Sequence, residues 1–112
     1  MNLPEARIAF EKSKIESEAL LKTIENSKAR LEDRVTAAVD LINLGKKVMD
    51  VTIVPVTTSA FEEVKIEDLK EEIAEYVSSC QSRIQQTIKS LGIMDKLKVA
   101  RILNQKGVAA TV

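Results

Sequence analysis

From Leu3 onward, apolar and small residues recur at steps of three and four. Ala6, Phe10, Ser13, Ser17, Leu20, Ile24, Ser27, Leu31, Val35, Ala38 and Ile42 form one stripe, a heptad seam with a four-four stutter around Leu31 and Val35. Asn2 is placed to cap a helix, with Glu5 three residues on and Pro4 in the first turn, where a missing N–H costs nothing. No Gly or Pro follows until Gly45, a residue suited to ending a helix, so the simplest expectation is one helix over about 3–44. At about 1.5 Å per residue it would be about 60 Å long. A compact domain of this size has a radius of gyration of only about 13 to 14 Å. Either the molecule is elongated, or the helix breaks near Asn26 and Ser27; the seam favours the continuous rod.

Three seam positions are serine, which makes the contact narrow and weakly stabilised. Ile8 and Ile15, seven apart, fall on the opposite face. A helix with apolar surface on two sides needs more than one neighbour.

The pattern then changes. Val51 to Thr57 is almost wholly β-branched and contains Pro55, so 48–58 is expected to be an extended, β-prone connector, either laid over a core or paired as an edge strand. Its Val51, Ile53, Val54 and Val56 put apolar side chains on both faces, and such a segment has to be covered. Ser59 and Glu62 fit a capping box that opens a second long helix over about 60–91, stopped by Gly92. Its seam reads Ile66, Leu69, Ile73, Tyr76 or Val77, Cys80, Ile84, Thr87 or Ile88, and Leu91. Asp95 would cap a short third helix over about 95–105, with Val99, Ile102 and Leu103 on one face, closed by Gly107 and followed by a tail, 108–112.

The fold class expected is therefore all-α: two long antiparallel heptad-patterned helices joined by the connector, plus a short C-terminal helix, in a single elongated domain over 1–112. The residues assigned to oligomer or partner contacts are Phe10, Leu20, Ile24, Leu31, Val35, Ile42, Val51, Ile53, Val54, Val56, Ile66, Leu69, Ile73, Val77, Cys80, Ile84 and Leu91.

Composition narrows the chemistry. Of 112 residues, 17 are basic and 17 acidic, 45% are apolar, and there is no His or Trp and one Cys. The commonest general base and zinc ligand are missing, and no intrachain disulfide can form. No enzyme is expected, and no catalytic, cofactor or metal-binding residue is assigned. Glu71 and Glu75, four apart, read as a solvated face, and Asn43 to Lys47 lacks the spacing of a phosphate loop. Cys80 sits in the seam as a small buried residue rather than a reactive thiol. The apolar runs are too short to span a membrane, and the start lacks the layout of a signal peptide. A cytoplasmic protein is the simplest expectation, with a processed secreted form also open.

Charge is balanced overall and divided locally. Residues 60–78 hold seven acids against Lys65 and Lys70, a sum of −5, whereas 79–112 hold six bases against Asp95, a sum of +5. This matches the dipole of the second helix and also suits packing of the basic part of one subunit on the acidic part of another. Nucleic acid is not an expected partner, because the bases scatter around the third helix and no aromatics interleave with them.

Val54-Pro55-Val56-Thr57-Thr58-Ser59-Ala60-Phe61, set between two heptad helices, resembles the hairpin segment of an alpha-type prefoldin subunit, and the Asn2-Leu3-Pro4 start is similar. The second hairpin of that family has no counterpart, the acidic stretch 62–78 following at once. The resemblance implies a hexameric holdase in which such strands build a shared barrel and helical arms hold unfolded clients. The residues themselves point to a non-enzymatic protein that binds through coiled-coil-like surfaces, as a homo-oligomer or with partner helices. A helical-bundle carrier of an apolar ligand is the remaining alternative.

Overall fold

The computed structural model describes residues 1–107, which form four α-helices and no strand: α1 (Leu3–Glu25), α2 (Leu31–Met49), α3 (Ala60–Lys89) and α4 (Ile93–Gln105). The tail expected over 108–112 lies outside the described residues. The protein is all-helical, as the periodicity predicts, but the single helix expected over 3–44 is two.

The break sits at Asn26 to Arg30 and has local causes. Asn and Ser side chains compete for backbone groups and weaken a helix interior. Asn26 is extended (φ −79°, ψ 103°), and its side-chain oxygen accepts the Lys28 N–H at 3.0 Å. Its carbonyl takes the Ala29 N–H at 3.1 Å. Arg34, one turn into α2, donates Nε to the Ile24 carbonyl at 2.8 Å and so satisfies a group that the end of α1 leaves free. Glu32 and Asp33 in the first turn of α2 complement its dipole, although Arg30 supplies no side-chain cap. The gain is tertiary, because the two halves of the stripe now bury each other.

The start of α1 is as expected. Asn2 accepts the Glu5 N–H at 3.0 Å and Glu5 accepts the Asn2 N–H at 3.1 Å, a complete capping box. Gly45 does not end a helix; α2 continues to Met49. A Cβ at Gly45 would lie 3.2 Å from Val77 Cγ1, so the glycine is kept for the close approach of α3. α4 begins after Gly92, three residues earlier than an Asp95 cap would set it.

Side-chain pairs fix the directions. Arg7 reaches Glu72 at 2.9 Å and Arg83 Nε reaches Glu25 at 3.1 Å, so α3 runs parallel to α1, with α2 antiparallel and packed on both. The result is an up-down-up bundle measuring 55 × 24 × 18 Å, with α4 packed on α2. The antiparallel neighbour of α3 is thus only the second half of the expected rod.

The core has two layers. Ala6, Phe10, Ile53, Ile66, Leu69 and Ile73 fill the end near the connector. Leu21, Ile24, Ala37, Leu41, Cys80 and Ile84 fill the end near the α1–α2 turn. Phe10 and Tyr76 meet edge to face at 5.9 Å between the layers. Leu20, assigned to the seam, only flanks it; its neighbour Leu21 is the residue at 0% exposure. The buried stripe of α1 steps by four from Ser17 to Leu21 and by three to Ile24, where the expected seam stepped by three and then four.

Two outcomes test this packing. Leu21→Ala should cost about 2–5 kcal/mol in urea unfolding, clearly more than Leu20→Ala. Gly45→Ile should cost about 1–3 kcal/mol by overpacking, and Val77→Ala in the same chain should restore part of the loss. Strict additivity of the two would contradict the close approach of α2 and α3.

Candidate interaction surfaces

The connector is held at both ends without forming a strand. Val54 donates its N–H to the Met1 carbonyl at 2.8 Å, which ties the segment to the start of α1. Ile53 is buried in the core beside Ala6 and Phe10, and Val51 packs against the same cluster. Val54 and Val56 remain exposed, so only one face of the segment is covered by the chain itself.

At its far end, the Ser59 side chain accepts the Glu62 N–H at 3.2 Å and caps α3. Glu62 does not close the expected capping box. Its carboxylate accepts the N–H groups of Val56 and Thr57 at 2.7 and 2.8 Å, and the Thr57 hydroxyl as well, while the Ser59 N–H turns to that hydroxyl. These donors, the hydroxyl first, hold the Glu62 carboxyl below its ordinary range.

Midway along the bundle, a polar cluster crosses from α1 to α3. Arg83 is bonded to both Glu25 and Glu18, and the Tyr76 hydroxyl donates to Glu18 at 3.1 Å. The Arg83 bond lowers the Glu25 pKa against a smaller effect of burial, and Glu25 at the negative end of α1 gains a needed cation. Burial pushes up both the Tyr76 hydroxyl and the Cys80 thiol. Among the described residues, no three His, Cys, Asp or Glu side chains are grouped to hold a metal. No helix there is long and apolar enough to cross a membrane.

Beside α4 lies a cavity of about 70 Å³, walled by Ile24, Leu31, Val35, Ala38 and Ile42 on one side, Ile84, Thr87, Ile88 and Leu91 on another, and Val99 and Leu103 of α4. Arg34 stands at its edge with Nε already engaged.

Most residues assigned to intermolecular contacts are used within the chain. Phe10, Ile24, Val35, Ile53, Ile66, Leu69, Ile73, Cys80 and Ile84 are buried, and Leu20, Leu31, Ile42, Val51, Val77 and Leu91 are half-buried. The break folds α2 back onto the seam that a rod would have left open, so these side chains serve the chain's own core. Val54 and Val56 stay exposed, and the helices expose further apolar side chains outside the assigned set. Ile8 and Ile15 on α1, Phe61 and Val64 on α3, and Ile93, Met94 and Leu97 on α4 all point outward, Ile15 at 74% and Ile93 at 77% exposure. The α4 set was legible as i, i+1 and i+4 opposite Val99, a face that reading α4 from Asp95 onward conceals.

Comparison with protein-family models, curated proteins and solved structures finds no match for the chain.

Amide exchange tests the connector. The Val54 N–H should exchange slowly, and those of Val56 and Thr57 should be protected at neutral pH. Because the folded-state pKa of Glu62 is depressed, that protection is complete above the ordinary carboxylate range and is lost as pH falls through the lowered value. Protection of Val56 and Thr57 that ignores acid would show that Glu62 does not hold the segment.

Proposed function

We propose that this chain is a non-enzymatic helical protein that works by binding, assembling with copies of itself or with partner helices. The observation that supports this reading is the set of large apolar side chains left on outer faces after both core layers are complete: Ile8, Ile15, Phe61, Val64, Ile93, Met94 and Leu97. Single exposed apolar residues are ordinary, whereas repeated ones at helical spacing on three helices make coherent stripes. A coiled-coil-like contact needs such a stripe on each partner. The holdase suggested by the prefoldin resemblance is a variant of the same chemistry, with an unfolded client in place of a folded helix.

The carrier reading draws on the apolar cavity under α4. It has room for a few methylene groups, and apart from Thr87 and the engaged Arg34 its lining is apolar. Ala38→Leu separates the two ideas. Filling an unused cavity stabilises the fold, while filling a carrier site abolishes binding of a short aliphatic probe.

Sedimentation of the whole chain tests the main reading. The expected result is a species heavier than one chain at micromolar concentration. It should dissociate in the triple variant Ile15→Glu, Val64→Glu, Leu97→Glu, which keeps its helical circular dichroism. A monodisperse monomer across the whole range would overturn it.

A further inference from the structure

The outer faces of α3 and α4 carry related patterns of opposite charge. On α3, Phe61 and Val64 are followed one turn later by Asp68, all exposed. On α4, Ile93 and Leu97 are followed one turn later by Arg101, also exposed. Val64 to Asp68 and Leu97 to Arg101 are both i to i+4 steps, so each pair lies along one helix face. Laid parallel, Leu97 meets Val64, Ile93 meets Phe61, and Arg101 comes opposite Asp68. Antiparallel docking would set the apolar pairs together and part the charges.

Lys65, over the Phe61 ring at 4.9 Å, is a base beside this face, and other neighbours repeat the complementarity. Glu71 and Glu75 continue the acidic face of α3, and Lys98 flanks Arg101 on α4. Within one molecule the two faces cannot meet. α3 is 30 residues long, about 45 Å, and Phe61 lies at its start while α4 follows its end.

From this we infer that a second copy of the chain docks the outer face of its α4, in parallel, on the N-terminal half of α3. The contact is heterologous, each molecule giving one surface and receiving the other. Phe61 and Val64 supply the apolar centre, and the Asp68–Arg101 pair sets the register. The inference rests on the self-assembly reading above and specifies its surfaces.

Charge exchange tests it on the full chain by sedimentation velocity, with circular dichroism to confirm the fold. Asp68→Arg or Arg101→Asp alone should weaken assembly about tenfold or more, since each sets like charges face to face. The two exchanges in one chain should restore it. Mixing the two single variants should restore it too, because each then finds its complement only on the other, giving mixed species that neither forms alone. Assembly that ignores both single exchanges overturns this docking and leaves self-assembly through another face intact. A monomeric wild type whose binding to phosphatidylglycerol–phosphatidylcholine vesicles is lost in Arg101→Asp overturns both readings and assigns α4 to a membrane surface.

Discussion

Everything in this fold depends on the reversal between Glu25 and Leu31. A helix carried straight through these residues would present its apolar stripe along about 60 Å with nothing in the chain long enough to cover both faces. Reversing there lets α2 cover α1, and α3 then lies in the groove between them. The energetic weight is carried by burial, since a fully covered Phe10, Leu21 or Leu69 contributes about 1.5–3 kcal/mol each. The polar contacts of the turn, Asn26 to Lys28 and Arg34 to Ile24, set where the reversal falls rather than how stable it is.

The reversal also decides what is left for other molecules. Once the seam is closed, Ile53 joins Phe10 and Ile73 in one buried cluster, and the connector becomes a brace at that end of the bundle. Apolar surface remains at the outer edges, at Ile8 and Ile15, at Phe61 and Val64, and at the start of α4. The acidic stretch occupies the first part of α3 and the basic one runs from its last turns into α4, so the outer face of α4 and the acidic start of α3 lie at opposite ends of that helix.

Much of the fold was legible in the sequence. The caps at Asn2 and Ser59 and the seam of α3 from Ile66 to Ile84 follow from local chemistry and spacing. What was hidden has identifiable causes. Ser27 continues a heptad register in sequence, and a seam of period 3.5 carries no mark of whether the chain turns back across it; only the competition of Asn26 and Ser27 for backbone groups signals the turn. Gly45 looks like a helix end because a close helix approach and a C-cap both call for glycine, and only Val77 at 3.2 Å distinguishes them. Most residues assigned to partner contacts pack within the chain, because the hairpin lets α1, α2 and α3 cover one another's seams. Val54 and Val56 alone of that set stay exposed.

The distance between Lys12 on α1 and Lys47 on α2 tests the reversal most directly, because both side chains are exposed and lie in helices on either side of the turn. Spin labels on cysteines at the two positions, in a chain carrying Cys80→Ala and diluted into unlabelled protein, report it by pulsed electron resonance. The hairpin brings the labels to within about 20 Å, two adjacent helices being about 8–10 Å apart at their axes. A continuous helix over the same residues would hold them about 50 Å apart. A narrow distribution at the short distance is the result expected here; a population at the long one would contradict the fold and return the seam to intermolecular use.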